Sequence, residues 1–307
     1  MIAWIVDILL IITFSILFYL SIPINTQKTI EIPKGSIAKI ITHLTKTGHN
    51  LSIIDSYLMR LIGSPKSGWI TMPSTKMNRL DFLIALTNAR FAIQKITLIP
   101  GETTYIFLQE IAKQLKLDEK KLSSQYDKQA TYKEAGIYPD TYHLPHGIKE
   151  KKLIEFLVRQ SNKKYAKIYH QETNQTLDKH TFNTILTIAS IIQKEAANNS
   201  EMPIVASVIY NRLAKNMPLQ MDGTLNYGKY SHIKITAKRI REDTSPFNTY
   251  KNKGFPPYPI SSASVTAIRA TLHPATTEYL YFVKNKQGVH DFSKTYRTHI
   301  RNINKNR

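Results

Sequence analysis

The sequence contains no cysteine among its 307 residues. That absence excludes disulfide bonds, a thiol nucleophile and cysteine-ligated zinc or iron–sulfur sites. Two catalytic patterns are also missing, the Gly-x-Ser-x-Gly elbow of serine hydrolases and the glycine-rich phosphate loop of nucleotide-binding enzymes. His143 and His146 stand three residues apart among prolines, with no carboxylate that the sequence can place beside them. We therefore expect neither a metal ion nor another cofactor.

The chain is poor in acidic residues, with 22 Asp and Glu against 42 Lys and Arg and a formal net charge of +20. Such an excess favours polyanionic partners such as nucleic acid, anionic lipid head groups or acidic wall polymers. The lysines are spread along the whole chain, and no zinc-finger spacing or RNP-type aromatic motif accompanies them. We expect no nucleic-acid partner. The alternative, a basic nucleic-acid-binding protein, predicts a cytoplasmic location.

One long hydrophobic run stands at the N-terminus, MIAWIVDILLIITFSILFYLSIPI, in which Asp7 is the single charged residue. A run of this length crosses a hydrocarbon core of about 30 Å. It lacks the basic n-region and the small-residue cleavage site of a signal peptide. Trp4 and Tyr19 lie near its ends, as interfacial aromatics do. We predict an uncleaved transmembrane anchor over residues 2–22, whose orientation charge counting alone leaves open.

The rest of the chain mixes strand and helix patterns, which predicts an α+β fold. A unit of strand, Pro/Gly turn and amphipathic helix at 29–48 recurs at 95–117. Between the two units we predict another strand and a helix from about Lys76 capped by Thr75, so that residues 28–94 form a small α+β module. Further helices are predicted over 149–170, 180–198, from Ser200 onwards and over 263–272. A β-hairpin turning at Gly288 and a basic helix capped by Ser293 close the chain.

The segment TIASIIQKEAANN, residues 187–199, places a carboxylate at the end of an apolar helical face. Residues three, four and seven apart share a face of a helix, so Ile188, Ile191 and Ile192 lie beside Glu195. One interpretation is a solvated glutamate, or one paired with Lys194. The other is a carboxyl buried against isoleucines. Its pKa would be raised, so that it holds a proton near neutral pH and acts as a general acid.

The residues after Glu195 are rich in Asn, Gln, Asp, Thr and Tyr. This composition suits hydrogen bonding to sugar hydroxyl and acetamido groups, with tyrosine rings stacking on sugar faces. It suits ordinary loops equally well, and His290, next to Asp291, is typical of a hydrogen-bonded turn histidine rather than a metal ligand.

Seven segments resemble the MltG-type (YceG-like) endolytic murein transglycosylases, in the order in which that family has them. They are EAGIYPDTY (134–142), ASIIQKEA (189–196), VASVIYNRL (205–213), MPLQMDGTLNYG (217–228), FNTYKNKGFPPYPIS (247–261), AIRATLHPATTEYLYFV (267–283) and HDFSKTYRTHI (290–300). Together with the N-terminal span, the resemblance covers nearly the whole chain.

The resemblance implies a membrane-anchored endolytic peptidoglycan lytic transglycosylase. Such an enzyme cleaves the MurNAc–GlcNAc bond of nascent glycan strands, leaves 1,6-anhydro-MurNAc ends and acts as a terminase of glycan polymerisation. Three parts are implied: the anchor over 1–22, a linker and LysM-like module over 23–94, and a mixed α+β YceG-like catalytic domain over 95–307. The implied partners are glycan strands, the inner membrane and a penicillin-binding-protein synthase, with the catalytic domain on the periplasmic or extracytoplasmic side.

The resemblance also assigns residues. The family's catalytic Glu falls on Glu195, which would act first as acid and then as base, and Asp222 is the nearest candidate second acid, for which we favour a positioning role. The predicted substrate-binding residues are polar or aromatic members of these segments: Asn211, Gln220, Asp222, Thr224, Tyr227, Asn248 and Tyr250.

The sequence departs from the family pattern at three places. Ala196 follows the catalytic position where Thr is common, Gly223 replaces a usual Pro, and residues 261–263 stand where Asn-Pro-Gly is usual. These departures put the loops around the cleft in doubt. They keep open a second function, a non-catalytic peptidoglycan-binding scaffold that recruits wall synthases.

Overall fold

The computed structural model describes residues 2–306, which divide into two compact units. The first unit comprises the residues up to 95 together with 143–148, and the second comprises 96–142 and the residues from 149 onwards. The chain leaves the first unit within strand β6 (Ile93–Thr97) and returns to it within strand β7 (Thr141–Pro145), which pairs with β6. The α+β class predicted from the sequence is confirmed.

The first unit contains four helices and five short strands among its described residues. They are α1 (Ile2–Ser21), β1 (Pro23–Asn25), β2 (Thr29–Ile32), α2 (Ile37–Lys46), α3 (Ile53–Ile62), β3 (Gly68–Thr71), β4 (Lys76–Asn78), α4 (Arg79–Asn88) and β5 (Arg90–Phe91). Strands β2, β3 and β5 form one antiparallel sheet, and β1 pairs with β4. Ile40, Ile41 and Leu44 of α2 are buried in the core of this unit and Ile37 packs partly buried against it, which confirms the amphipathic helix predicted there.

The predicted start of helix α4 is wrong by three residues. Lys76 lies in strand β4, where it pairs with Asn25, and the helix begins at Arg79. Asn78 is the N-cap and accepts a hydrogen bond from the Asp81 N–H at 2.8 Å. Strand β4 therefore contains residues that the sequence pattern assigned to the first turn of the helix. The N-cap is Asn78 rather than the predicted Thr75.

Helix α1 presents its apolar side chains outwards. Its window Trp4–Ser21 has a mean hydropathy of 2.2, and none of it is buried within the structure. Its 20 residues extend about 30 Å at 1.5 Å per residue, which matches the hydrocarbon thickness of a bilayer. The length and composition of α1 are thus sufficient for a membrane span, and signal sequences near an N-terminus share both properties.

The second unit is mostly helical in its described residues. It contains α5 (Thr104–Leu115), α6 (Glu119–Gln129), α7 (Glu150–Thr173), α8 (Lys179–Glu195), α9 (Met202–Ala214), α10 (Ala237–Glu242), α11 (Val265–Leu272), β8 (Tyr281–Lys284), β9 (His290–Ser293) and α12 (Tyr296–Asn306). Two short 3-10 helices, Asp222–Leu225 and Gly228–Tyr230, lie between α9 and α10.

Helix α8 is the central helix of the second unit. Every residue from Ile185 to Ile192 is buried, so this helix is enclosed on all sides by its neighbours, among them α9 and α11. Its two buried hydroxyls are hydrogen-bonded: Thr187 donates to the Asn183 carbonyl at 2.8 Å, and Ser190 donates to the Thr187 carbonyl at 2.7 Å and accepts from the Ile260 N–H at 3.0 Å. A helix this completely packed holds the residue at its end in a fixed place.

The predicted hairpin is confirmed, with β8 and β9 antiparallel and Gly288 at φ +84° in the turn. The predicted serine cap of the last helix is wrong. Ser293 is the final residue of β9 and pairs with Tyr281, while α12 begins at Tyr296.

Candidate functional site

Glu195 is the last residue of helix α8. The helix ends there because Ala196 has extended backbone angles, φ −68° and ψ 133°. Two residues on, Asn198 Oδ1 accepts from the N–H groups of Ser200 and Glu201 at 3.0 and 3.1 Å, which turns the chain into α9. The carboxylate is therefore presented by a rigid buried helix at a chain reversal.

The Glu195 carboxyl is half-buried, and burial raises its pKa to about 7. The Gly223 N–H donates to its Oε1 at 2.7 Å, which opposes that rise, while the nearby charge of Asp222 adds to it. Lys194 points elsewhere and donates from Nζ to Ser231 Oγ at 3.1 Å. Of the two interpretations left open by the sequence, the structure favours the buried acid. A carboxyl with this pKa can give up a proton and take one back near neutral pH.

The Glu195 side chain lines a cleft of about 610 Å³ within the second unit. One side is built from α9 and the loop that follows it, and the other from the β8–β9 hairpin and helix α12. The lining residues are Glu195, Arg212, Leu219, Gln220, Met221, Asp222, Tyr250, Tyr281, Phe282, Val283, Tyr296, His299 and Ile303.

Arg212 forms hydrogen bonds to both sides of this cleft. Its Nε donates to the Leu280 carbonyl at 2.6 Å, and its Nη1 donates to the carbonyls of Pro218 and Leu219 at 3.0 and 2.9 Å. Its Cζ lies 5.1 Å from the centroid of the Tyr281 ring. Burial lowers the pKa of this guanidinium. Its charge is solvated by backbone dipoles rather than by a carboxylate.

Three of the predicted substrate-binding residues line the cleft with Glu195: Gln220, Asp222 and Tyr250. The Tyr250 hydroxyl donates to Asp222 Oδ1 at 2.7 Å, and burial followed by this hydrogen bond raises the pKa of Tyr250. Gln220 adopts φ +52°, and its N–H donates to the Thr249 carbonyl at 3.1 Å. The loop carrying Asp222 is thus tied to the loop carrying Tyr250.

The other four predicted residues lie away from this cleft and hold loops together. Thr224 is fully buried and donates to the Met221 carbonyl at 2.7 Å. Asn248 is fully buried and donates to the carbonyls of Ile240 and Asp243, at 2.8 Å each.

The remaining two behave in the same way. Asn211 donates to the carbonyls of Thr277 and Tyr279 at 2.8 and 3.0 Å. The Tyr227 ring stacks on Phe247 with centroids 4.2 Å apart. These contacts hold backbone segments and core rings, and substrate binding by these four residues stays a prediction.

Sequence reasoning missed Arg212 and the aromatic side of the cleft. A signal for Arg212 was present, because Val205, Val208, Ile209 and Arg212 have the same spacing on α9 as Ile188, Ile191, Ile192 and Glu195 on α8. A charged residue completing a buried apolar face is the common pattern. Tyr281, Tyr296 and His299 lie in two of the segments that resemble the family, but no local pattern marks them as cleft residues, since the hairpin and α12 reach the cleft only through tertiary folding.

His290 behaves as a hydrogen-bonding residue, as the sequence predicts. His290 Nδ1 lies 2.7 Å from Glu201 Oε2, and the backbone N–H of His290 donates to Glu201 Oε1 at 2.8 Å. These contacts hold the hairpin against the start of α9. The His146 ring packs against Trp69 in a tilted arrangement, with centroids 4.4 Å apart and an interplanar angle of 49°. Within residues 2–306 the structure brings no three His, Asp or Glu side chains together in a metal-binding group.

The raised pKa of Glu195 predicts a specific pH dependence of stability. The folded pKa of about 7 lies above the ordinary value of 4.5, so the folded protein binds an extra proton between these values. The free energy of unfolding, measured relative to a Glu195→Gln variant, should therefore fall as pH rises from 4.5 to 7 and stay level above pH 7. We expect a total fall of about 3 kcal/mol, measured by urea unfolding of the two proteins across this range. A difference that does not vary with pH would contradict the assigned pKa.

Comparisons with known proteins agree on one family. A model of the YceG-like family matches residues 30–305. The endolytic murein transglycosylase of Bacillus subtilis (strain 168) is 34% identical over 234 residues, 71% of this chain and 63% of that protein. The protein of that name from Streptococcus pneumoniae serotype 2 is 32% identical over 184 residues, 58% of this chain and 33% of that protein. The matches thus span less than two thirds of the length of these curated relatives.

A solved structure supports the same assignment. The crystal structure of a YceG-like protein from Listeria monocytogenes superposes with a TM-score of 0.58 and is 31% identical, covering 89% of this chain and 97% of that one.

Proposed function

Because the chain belongs to the YceG-like family, we propose that it is an endolytic peptidoglycan lytic transglycosylase with Glu195 as its single acid and base. The proposal depends above all on the Glu195 carboxyl, which has a pKa of about 7 and opens into a cleft of about 610 Å³. Two curated relatives that match this chain at 34% and 32% identity carry the name endolytic murein transglycosylase. The substrate is the glycan strand of peptidoglycan.

In the proposed reaction, protonated Glu195 gives its proton to the glycosidic oxygen between MurNAc and GlcNAc as the bond breaks. The resulting carboxylate takes the proton of the muramoyl C6 hydroxyl, whose oxygen bonds to C1 and closes the 1,6-anhydro ring. One carboxyl suffices, because no water has to be activated, whereas hydrolytic glycosidases use two. Burial keeps the proton on Glu195 before the reaction, and the negative charge of Asp222, whose Oδ1 accepts from the Tyr250 hydroxyl, adds to this effect.

Product analysis tests the activity against the non-catalytic scaffold. The full chain in detergent is incubated with purified glycan strands in ¹⁸O-labelled water, and the products are identified by mass spectrometry. A lytic transglycosylase gives anhydro-muramoyl ends that are lighter by one water than reducing ends and carry no label. Labelled reducing ends would indicate hydrolysis, and unchanged strands would favour the scaffold.

We propose further that α1 anchors the protein in the inner membrane by a single span, with the second unit on the extracytoplasmic side. This proposal is supported by the outward-facing apolar side chains over Trp4–Ser21, and there the enzyme would meet nascent strands and terminate their polymerisation. A periplasm-dependent reporter fused after residue 307 should be active, and the fusion should remain in the membrane fraction. An inactive reporter would reverse the orientation, and a fusion in the soluble fraction would contradict the anchor.

Gly223 is predicted to position the catalytic carboxyl through its backbone. A Cβ at this residue would lie 2.8 Å from both Glu195 Oε1 and Lys194 Cβ, so Gly223→Ala must displace the carboxyl or the loop. Misplacement by about 1 Å can cost about 100-fold in rate. We expect kcat for anhydro-product formation to fall about 10- to 100-fold, with KM nearly unchanged.

Gly228→Ala provides the matched control. Gly228 also has no side chain in the same segment, but an added Cβ meets nothing within 4 Å, so the substitution adds only the strain of φ +49°. Its activity should stay close to that of the wild type. If Gly223→Ala were as active as Gly228→Ala, the carboxyl would not depend on this close approach.

A further inference from the structure

The aromatic wall of the Glu195 cleft, made of Tyr281, Tyr296 and His299, has no role in the proton transfers. Tyr281 lies on strand β8, and the other two lie on helix α12. The rings of Tyr281 and His299 stack with centroids 5.2 Å apart and an interplanar angle of 23°, and the Tyr296 ring lies 5.9 Å from that of Tyr281. All three line the same cleft as the carboxyl. The wall is therefore continuous with the proposed catalytic site.

Tyr296 stands out in this wall because 62% of it is exposed. The rings of Tyr281 and His299 stack on each other and are partly buried. The Tyr296 ring is mostly exposed and lines the cleft. Exposed tyrosine is amphipathic, and its ring face attracts the partly positive C–H groups of an apolar ligand surface. One face of a pyranose ring presents C–H groups of this kind.

Helix α12 is divided between a cleft side and a solvent side. Tyr296, His299 and Ile303 follow the helical spacing and line the cleft. Arg297 and Arg301 lie off this stripe and are exposed. Asn306 at the far end of the helix donates to Asp291 Oδ2 at 2.9 Å, which holds α12 against the hairpin. The helix thus presents the tyrosine from a fixed position.

His299 adds a polar edge to the wall. Its Nδ1 is buried and has no hydrogen-bond partner among residues 2–306. Burial lowers the pKa of this imidazole, and the charge of Arg212 lowers it further, so both disfavour a positive charge on the ring. None of the three wall side chains is a fixed cation, and the nearby Arg212 guanidinium donates to backbone carbonyls, so the wall suits stacking on an uncharged sugar ring.

We infer that this wall is a glycan-binding subsite in which Tyr296 stacks on the face of a β-1,4-linked N-acetylated amino sugar next to the bond that is cut. This inference deepens the proposed function and depends on it for the identity of the ligand. A stack of this kind holds substrate and transition state alike, so its loss raises KM more than it lowers kcat.

Binding is measured on the full chain in detergent with Glu195→Gln as the parent, so that no turnover occurs. The probe is a soluble β-1,4-linked N-acetylglucosamine hexamer, titrated by calorimetry. Tyr296→Ala should weaken binding about tenfold, as expected for the loss of one aromatic stack. Tyr296→Phe keeps the ring face and should stay within about twofold of the parent. In the enzyme with Glu195 intact, Tyr296→Ala should raise KM about tenfold with kcat changed less than about threefold.

Arg297→Ala is the matched control on the same helix, and it should bind like the parent. Its neighbour Tyr296 is mostly exposed, so Tyr296→Ala should unfold at the same temperature as the parent. Unchanged binding by Tyr296→Ala would overturn the subsite. So would equal weakening by Phe and Ala, which would assign the effect to the hydroxyl. Equal weakening by Arg297→Ala would assign it to the overall charge.

These experiments distinguish an error in the proposed subsite from an error in the proposed activity. A parent that binds the hexamer through Tyr296, while the intact enzyme forms no anhydro ends, would contradict the activity and leave the subsite standing. Anhydro ends formed with unchanged KM by Tyr296→Ala would contradict the subsite and leave the activity standing.

Discussion

Replacing Glu195 with glutamine is expected to reduce the rate of anhydro-muramoyl product formation by at least about 10⁴-fold, because general acid–base catalysis contributes about 10²–10⁴-fold and one residue serves both proton transfers. Glutamine matches glutamate in shape, and its side-chain oxygen can still accept from the Gly223 N–H, which lies 2.7 Å from Oε1 in the wild type. The fold should be kept, and above pH 7 the melting temperature should stay level or rise, because an ionised carboxyl is no longer desolvated. Both quantities are measured on one preparation.

Glu134→Gln is the matched control. Glu134 is buried, and burial raises its pKa to about 7 as well, but it lies outside the Glu195 cleft and accepts hydrogen bonds at Oε1 from the N–H groups of Thr104 and Ala135 at 2.8 and 3.0 Å. Gln keeps an acceptor there, so activity should remain. Equal losses in the two variants would indicate a general effect of removing a buried carboxyl. An active Glu195→Gln would end the single-carboxylate mechanism and direct attention to Asp222.

The sequence predicts those parts of the fold that depend on local patterns. The strand–turn–helix units, the hairpin at Gly288 and the buried face ending at Glu195 are all found, because each is specified by residues within one or two turns of each other. The cap of α4 was misplaced because the pairing of Lys76 with Asn25, far away in sequence, decides where that helix begins. Helix boundaries are set partly by tertiary contacts, which a local pattern does not contain.

The residues that line the candidate site are harder to predict from the sequence than its catalytic acid, Glu195. Asn248 and Asp222 both look like polar loop residues in the sequence, yet one is fully buried and holds two carbonyls while the other lines the cleft. Loop polarity alone cannot distinguish a side chain that satisfies buried backbone groups from one that faces a ligand. The Gly223 N–H, which contacts Glu195, is a backbone group present in every residue except proline, so its position follows only from the folded loop.

Arg212→Leu is expected to lower the free energy of unfolding by about 3–5 kcal/mol, because it removes the donors from the part-buried carbonyls of Leu280 and Pro218 and from the buried carbonyl of Leu219. These carbonyls now accept at 2.6, 3.0 and 2.9 Å from a side chain that is itself buried. Leucine fills much of the same volume, so the loss reports the hydrogen bonds rather than a cavity. The change is measured by urea unfolding of the full chain in detergent.

Arg297→Leu provides the comparison, since the same substitution at an exposed position of α12 should change the free energy of unfolding by no more than about 0.5 kcal/mol. Arg212→Lys keeps a charge but cannot reach carbonyls on both sides of the cleft from one planar group, so its stability should fall between the other two variants. Because these carbonyls belong to the hairpin and to the loop before Asp222, anhydro-product formation should fall with stability in this series. An Arg212→Leu variant as stable as Arg297→Leu would mean that water replaces the guanidinium between the two sides of the cleft.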